Sequence, residues 1–293
     1  MMYKGIICVL LAAIFWGTGG VTGQFLYTNY GVDPVWLVMV RQIVAGSLFL
    51  AYSKLYLKDS VIPILKEFPW SILIFSFPGI LGAQLGFYYT ISICNAATAT
   101  ILQYTAPIYV VLWMMYKNKK LPDFKEALGV VLAFTGVFLI STHGRLDSLA
   151  ISAEALVTGI LSAFAYALYS VQPVEMLKKY PTTTVIGWGQ LISGLFLILF
   201  RNPFNPAGNW DLIGVLAFSY LILGSTVLTY GLYLTGLKII GSAKAALLCC
   251  AEPLSSIICV VVFMGTKLTN MDFLGMLCII ITVVMLSLSK NNS

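Results

Sequence analysis

Long apolar runs separated by short polar stretches dominate the hydrophobicity pattern of the chain. A helix rises 1.5 Å per residue, so crossing a hydrocarbon core of roughly 30 Å takes about 20 apolar residues. The runs are continuous rather than alternating, and backbone in lipid must satisfy its own hydrogen bonds, so helices are predicted rather than strands. An all-α membrane protein of ten transmembrane helices fits, over residues 4–24, 32–52, 69–91, 97–116, 124–142, 154–173, 182–201, 211–235, 243–263 and 270–289.

Composition and charge support the same class. Of the 293 residues, 59% are hydrophobic and only 10% are charged, whereas a soluble domain carries about 25% charged residues. With a cytoplasmic N-terminus, 13 of the 17 basic residues lie on the inner side, three lie outside and Arg41 falls within a span. This positive-inside bias predicts that both termini are cytoplasmic, in a multi-pass protein of the cell membrane. The net charge of +6 therefore requires no nucleic acid partner.

Two parts of the chain repeat each other. "ATATILQYTAP" (97–107) matches "AKAALLCCAEP" (243–253) at an offset of 146 residues, which also places Gly129 on Gly275. "RQIVAGSLFL" (41–50) matches "GQLISGLFLI" (189–198) at an offset of 148, which places Gln42 on Gln190 and Gly46 on Gly194. Each half, 1–148 and 149–293, holds five predicted spans, an odd number, so the second half starts on the opposite membrane side. Inverted repeats of this kind are typical of secondary transporters, whose substrate site lies near the midplane.

The glycines of "IFWGTGGVTGQF" (14–25) resemble a dinucleotide-binding loop. Such a loop needs a preceding strand and a βαβ unit, and this stretch lies inside the first apolar run. Gly19 and Gly23 instead form a G-x-x-x-G pair, which lets a second helix approach closely or leaves room for a cavity.

The repeated segments are similar to those of a known family. "VRQIVAG" in the second span, "LQYTAPIYVVL" in the fourth and "AEPLSSIICVVVF" in the ninth resemble the EamA branch of the drug/metabolite transporter superfamily. The resemblance covers nearly the whole chain and implies ten helices in two halves, with amino acids, amines and related metabolites as the substrate class. The branch often has a Gly-Glu pair after its fourth and ninth spans. Here "YKNKK" and "MGTK" stand in those places, so a role of that glutamate does not carry over.

Two ionisable residues fall at membrane depth. Arg41 and Glu252 each lie about nine residues into a span, roughly 13 Å deep, where a charge costs about 2.5–3.5 kcal/mol on insertion scales. Glu252 is a candidate proton- or cation-binding carboxylate, or else a packed residue that bonds a neighbouring helix. Arg41 is a candidate clamp for a substrate carboxylate, or else a structural tie to helix carbonyls or to an acid. An Arg41–Glu252 pair is a further alternative.

Uncharged polar and aromatic residues in mid-span extend this candidate site. Gln84 and Tyr230 occupy equivalent positions of the two halves, as do the aromatic residues Trp16 and Tyr166. Helical spacing places several of the set on shared faces. Such residues suit a small organic solute, although they could equally bridge helices. The predicted substrate-binding residues are Trp16, Gln84, Tyr88, Gln103, Tyr166, Tyr169, Tyr230 and Glu252.

The pattern predicts a secondary transporter of a small, amino-acid- or amine-like metabolite, working by alternating access. We expect an exporter, with proton coupling as an open alternative, that acts as a monomer or homodimer in the lipid bilayer. No metal, cofactor or enzymatic activity is expected, because no nucleophile–base pair, metal motif or Walker pattern is present. The alternatives are an uptake carrier for an organic cation or other nutrient, and a non-transporting membrane scaffold or sensor.

Overall fold

The computed structural model describes residues 2–118, 124–144, 150–206, 208–240, 248–249 and 251–289, and every regular element in them is a helix. Lys119, Lys120, Arg145, Lys244, Lys290 and most of the 243–250 repeat segment lie outside the described residues. The helices of the first half are α1 (Met2–Tyr30), α2 (Pro34–Leu55), α3 (Pro63–Glu67), α4 (Pro69–Ile74), α5 (Gly82–Ile93), α6 (Ala96–Gln103), α7 (Ala106–Asn118) and α8 (Phe124–Thr142). Those of the second are α9 (Ala153–Val171), α10 (Val174–Lys179), α11 (Thr182–Leu197), α12 (Leu212–Ser219), α13 (Thr229–Ile240), α14 (Ala251–Met264) and α15 (Asn270–Ser289).

Five helical segments of the described chain are long and apolar enough to cross a membrane. They are Met2–Tyr30, Pro34–Leu55, Pro69–Ile93, Ala153–Lys179 and Leu212–Gly236. Shorter apolar helices cover Ala127–Ile140, Ala251–Met264 and Asn270–Met285. The predicted bounds 124–142 and 270–289 are those of α8 and α15, whereas α1 is longer and α11 shorter than predicted.

Local side chains account for several helix starts. Asp33, at the N-cap of α2, accepts a hydrogen bond from the backbone N–H of Trp36 at 2.8 Å, and Pro34 follows it at the first helical position. Asn95 and Ser152 cap α6 and α9 in the same way. These oxygens satisfy backbone donors that the first helical turn leaves unpaired.

The prediction of one unbroken helix over 97–116 is wrong. Residues 104–105 form a turn between α6, which ends at Gln103, and α7, which begins at Ala106. Pro107 explains the break, because it has no N–H and its ring would clash with the carbonyl four residues earlier, that of Gln103. Pro253 lies in the first turn of α14, where proline is tolerated.

Two helices carry a π-helical segment at matching places in the two halves. Phe75–Leu81 lies between α4 and α5, and Tyr220–Leu228 lies between α12 and α13. In the second segment, the Thr226 hydroxyl donates to the Leu221 carbonyl at 2.9 Å, five residues back. π segments are often found at functional sites. Here they directly precede the helices that carry Gln84 and Tyr230.

Helices α2 and α11 cross at two glycines, and the crossing repeats itself with the halves exchanged. A methyl group on Gly46 would lie 2.6 Å from the backbone N of Leu191. A methyl group on Gly194 would lie 2.8 Å from the backbone N of Ile43. The offset of 148 residues converts Gly46 into Gly194 and Ile43 into Leu191, so each contact is the counterpart of the other.

Helices α8 and α15 show the same exchange at an offset of 146. Thr282 donates from its hydroxyl to the Gly129 carbonyl at 3.1 Å. Gly136 packs on Gly275, with the Gly275 carbonyl 2.7 Å from where a Gly136 methyl group would lie. At the offset of 146, Gly275 is the counterpart of Gly129 and Gly136 is the counterpart of Thr282. The second contact therefore joins the equivalent positions with the halves exchanged. Both crossings join one half of the chain to the other.

Candidate functional site

Arg41 lies in the interior, held by side chains from both halves of the chain. Its Nε donates to the Thr226 hydroxyl at 2.8 Å, and its Nη1 donates to Gln84 Oε1 at 2.9 Å. The guanidinium also lies over the ring of Tyr88, with Cζ 4.8 Å from the ring centroid, a favourable cation–π geometry. Three structural units therefore fix this group: α5, the second π segment and α2 itself.

A small cavity lies beside this cluster. Its lining comprises Ile80, Ala83, Gln84, Tyr169, Gln190 and Tyr230, and the space open to the centre of a water molecule is about 10 Å³. That volume suits about one water molecule. Tyr169 and Tyr230 come from α9 and α13 and share this wall. In this conformation the polar side chains close around the space.

Aromatic rings continue the site away from the cavity. The Trp16 ring lies 5.6 Å from that of Tyr230 and 5.2 Å from that of Tyr233, centroid to centroid. Tyr166 and Tyr169 pack edge to face at 5.1 Å. Tyr166 is 39% exposed, which makes it the most open of the predicted aromatic residues. These rings form a half-open aromatic wall.

Glu252 lies at the first turn of α14, and its side chain is partly buried. The Tyr104 hydroxyl donates to its Oε2 at 2.8 Å. Tyr104 itself sits in the turn that interrupts the fourth span, so the break places this donor. Among the residues that the structure describes, neither Glu252 nor Arg41 forms an ion pair, and the alternative of a direct Arg41–Glu252 pair is not observed.

The two charges lie at the two ends of one series of contacts. Gln84, which accepts the hydrogen bond from Arg41, lines the cavity together with Tyr169 and Tyr230. Tyr230 contacts Trp16, and the neighbouring Gly17 packs on the backbone carbonyl of Glu252. These contacts bring together all but one of the predicted site residues.

Gln103 is the exception. Its Nε2 donates to the Ser162 hydroxyl at 2.7 Å and to the Ala83 carbonyl at 3.2 Å, so it ties α6 to α9 and α5. Its shared face with Pro107 is interrupted by the turn at 104–105. The alternative interpretation of a helix-bridging residue fits Gln103.

The glycines of α1 make room for this site. Gly17 packs on the backbone carbonyl of Glu252, and Gly19 packs on the side chain of Ser225. At Gly23, a methyl group would lie 2.7 Å from the ring of Tyr88. Residues 14–25 thus lie within one continuous helix, as expected from their place inside an apolar run, and their glycines let neighbouring elements approach closely.

Sequence reasoning missed four residues of the site: Tyr104, Gln190, Thr226 and Tyr233. The alignment of Gln190 with Gln42 was a usable signal for one of them. Tyr104, Thr226 and Tyr233 join the site because of which helices pack together, and the sequence around each of them does not predict that packing.

A larger groove of about 810 Å³ lies elsewhere, lined by residues of α2 and α11 and the segment that follows α11. Its walls are almost entirely apolar, apart from Arg201 and Asn202. Arg201 is occupied by an ion pair with Asp33. This apolar groove offers none of the polar groups found around Arg41.

A model of the EamA-like transporter family matches the chain twice, over residues 3–142 and 153–288. The chain is 39% identical to an uncharacterized inner membrane transporter of Salmonella typhimurium, YicL, over 98% of this chain and 96% of that protein. It is 27% identical to an uncharacterized transporter of Archaeoglobus fulgidus, over 87% of each chain. One solved crystal structure superposes with a TM-score of 0.66 over 100% of both chains at 17% identity, which shows a shared fold.

These findings agree with the apolar helices and with the paired crossings. The chain is a multi-pass protein of the cell membrane, and the family and the relatives' names point to a transporter rather than an enzyme. Because the family model covers both halves and a relative matches nearly the full length, the chain belongs to the EamA-like transporter family.

Proposed function

We propose that this protein is a secondary active transporter of a small zwitterionic metabolite, amino-acid-like in its charges. The observation that carries the proposal is the placement of Arg41 and Glu252 in one aromatic site without an ion pair in the described chain. Charges at membrane depth are costly unless they are paired or used. A solute with an ammonium and a carboxylate group would satisfy both.

Arg41 is the proposed carboxylate-binding residue. A guanidinium has five N–H donors, and the described bonds to Thr226 and Gln84 use one from Nε and one from Nη1. Donors remain for a carboxylate, which matches the planar fork of arginine. The two fixed bonds and the Tyr88 ring orient the group before the solute arrives.

Glu252 and the aromatic wall are proposed to take the cationic end. Glu252 is only partly buried and Tyr166 is exposed, which in this proposal leaves both open to the solute. The rings of Trp16, Tyr166 and Tyr230 can contribute cation–π attraction. Tyr169 packs on Tyr166 at the end of this wall that borders the cavity.

The two halves, 1–148 and 149–293, are proposed to be inverted five-helix repeats with both termini in the cytoplasm. The crossings of α2 with α11 and of α8 with α15 support this, because each contact recurs with the halves exchanged. Two related halves can swap conformations and expose a central site to either side, which is the basis of alternating access. We propose export as the direction and Glu252 as the proton-exchanging group.

A second candidate, uptake of an organic cation, is favoured by one observation: the aromatic wall next to Glu252 would serve a cation without help from Arg41. The two candidates differ in whether the solute carboxylate is needed. A zwitterion and its amide or ester derivative therefore separate them.

The first test is a thermal-shift screen of the purified protein against amino acids, their amides, amines and organic acids. A ligand that binds only the folded state raises the free energy of unfolding by about 2.7 kcal/mol at a hundred times its Kd. Shifts with amino acids but not with their amides would support the zwitterion. Equal shifts with amides and amines would favour the cation carrier.

Flux decides between transport and a scaffold or sensor. Proteoliposomes preloaded with the hit compound should accumulate the tritiated compound by counterflow. Binding without counterflow would refute the transport proposal and leave a sensor.

A further inference from the structure

Two buried glutamines carry unpaired polar atoms. Gln42 and Gln190 are each only 2% exposed. Among the described residues, neither Oε1 nor Nε2 of Gln42 has a hydrogen-bond partner, and Oε1 of Gln190 has none. Buried amides are normally bonded, so each exception calls for an explanation.

The two glutamines are counterparts in the repeat. They match at the offset of 148 that also relates the two glycine contacts of the α2–α11 crossing. Gln42 lies four residues before Gly46, and Gln190 lies four before Gly194, so both amides stand one turn from the crossing. The equivalence of these positions is therefore three-dimensional as well as sequential.

Their surroundings differ in this conformation. Gln190 lines the cavity together with Gln84, which accepts the hydrogen bond from Arg41. Gln42 follows Arg41 in the chain, and both of its amide atoms are sealed from solvent without a partner. Gln190 thus shares a cavity wall with a hydrogen-bond partner of Arg41, whereas Gln42 follows Arg41 in α2 and is sealed off.

We propose that Gln42 and Gln190 are one substrate-recognition element used twice, each contacting the solute in one access state. In the present state Gln190 is the one that lines the cavity. When the halves exchange conformations, Gln42 takes the place of Gln190, and its unpaired amide gains a partner. The ligand group is the solute carboxylate, which accepts an amide N–H beside the guanidinium. This inference rests on the proposed alternating-access function.

Sided labelling tests the exchange without knowledge of the solute. Gln42→Cys and Gln190→Cys are made in a full-length background whose native cysteines are replaced by alanine. Each is treated with a membrane-impermeant maleimide in right-side-out and inside-out vesicles. Cysteine at 190 should react at least tenfold faster from one face, and cysteine at 42 at least tenfold faster from the opposite face. Preference for the same face, or no reaction at 42 from either face, would overturn the proposal.

Gln→Met variants test recognition itself, since methionine keeps the length and removes the amide. With a mixture of tritiated L-amino acids below saturation, Gln190→Met should lower the initial rate at least fivefold from one face. Gln42→Met should do so from the other face. Gln172→Met is the matched control, because Gln172 also has an unpaired Oε1 but bonds the Ser71 carbonyl away from the site.

The outcomes separate this inference from the transport proposal. If the unmodified protein moves none of the tritiated solutes and binds none in the thermal-shift screen, the proposed function fails. If the unmodified protein transports and both Gln→Met variants keep its rate from both faces, the recognition element is refuted while transport stands.

Discussion

The Arg41 end and the Glu252 end of the site are built differently. Arg41 is buried, bonded by two side chains and stacked over a ring, with contacts to both halves of the chain. Glu252 is partly buried and, within the described part of the chain, accepts one side-chain hydrogen bond, from the Tyr104 hydroxyl. A group held from three sides is preorganised for recognition, whereas a group held from one side can change its partner or its proton. This difference supports the proposal that Arg41 provides fixed recognition and Glu252 the variable step.

The largest effect is expected from Arg41→Gln. This change removes the charge and the guanidinium fork, so counterflow of the solute should fall about 100-fold or more, which is about 2.7 kcal/mol of lost interaction. Arg41→Lys should recover little of that loss, because an ammonium group cannot donate the same fork of bonds. Initial rates in proteoliposomes measure both variants. Near-normal rates for the lysine variant would show that only the charge matters and that the fixed geometry is irrelevant.

A smaller and more selective effect is expected from Glu252→Gln. The amide oxygen can still accept the Tyr104 hydrogen bond, but the side chain can no longer exchange a proton. Flux driven by a pH gradient should fall about tenfold, because coupling and binding are both affected. Exchange without a gradient should fall less, by about threefold, because the aromatic rings still attract the cationic end of the solute. Comparing the two fluxes in the same vesicles checks this. Equal losses of both would limit Glu252 to binding, with no part in coupling.

Only part of the difference between the Arg41 end and the Glu252 end of the site could be predicted from the sequence. The positions of Arg41 and Glu252, the bounds of α8 and α15, and the equivalence of Gln42 with Gln190 follow from apolar run lengths and internal repeats. These are local or periodic signals. Pro107 also gave a local signal for the break in the fourth span, because proline removes a donor and clashes one turn back.

The partners of the two charges were not accessible. Thr226 lies 185 residues from Arg41 in the sequence, in the second half of the chain. The hydrophobic periodicity of either segment does not predict that these two side chains are in contact. Tyr104 reaches Glu252 only because a turn replaces the helix at that point. The π segments depend on hydrogen bonds to the fifth preceding residue, which side-chain periodicity does not reveal. The missing information was tertiary in each case.

A third prediction tests whether the α2–α11 crossing supports the fixed end. A methyl group on Gly46 would lie 2.6 Å from a backbone nitrogen of α11, so Gly46→Ala should destabilise the fold by about 1–3 kcal/mol through overpacking. Gly231→Ala is the matched control, since nothing lies within 4 Å of its methyl position in α13. Alanine there should be neutral or stabilise by up to about 1 kcal/mol, because glycine weakens a helix. Thermal unfolding in detergent compares them, and equal Tm values for the two variants would contradict the role of the crossing.

The smallest effect is expected far from both ends, at the N-cap of α12, and it provides a baseline. The bond from the Gly214 backbone N–H, at 2.8 Å, and then the Tyr30 hydroxyl hold the pKa of the Asp211 carboxyl below its usual value of 3.8. A lowered folded-state pKa means that the stabilisation is present above the usual pKa and is lost as pH falls through the folded-state value.

Asp211→Ala should therefore lower the Tm by roughly 1–3 °C at neutral pH. Asp211→Asn keeps the cap without the charge, so its Tm should lie between those of the alanine variant and the parent at neutral pH, and its difference from the parent should vanish below about pH 4. A parent-like acid response in the asparagine variant would show that the titrating group lies elsewhere. Transport by both variants should stay within about twofold of the parent, because a cap supports its helix and touches neither charge of the site.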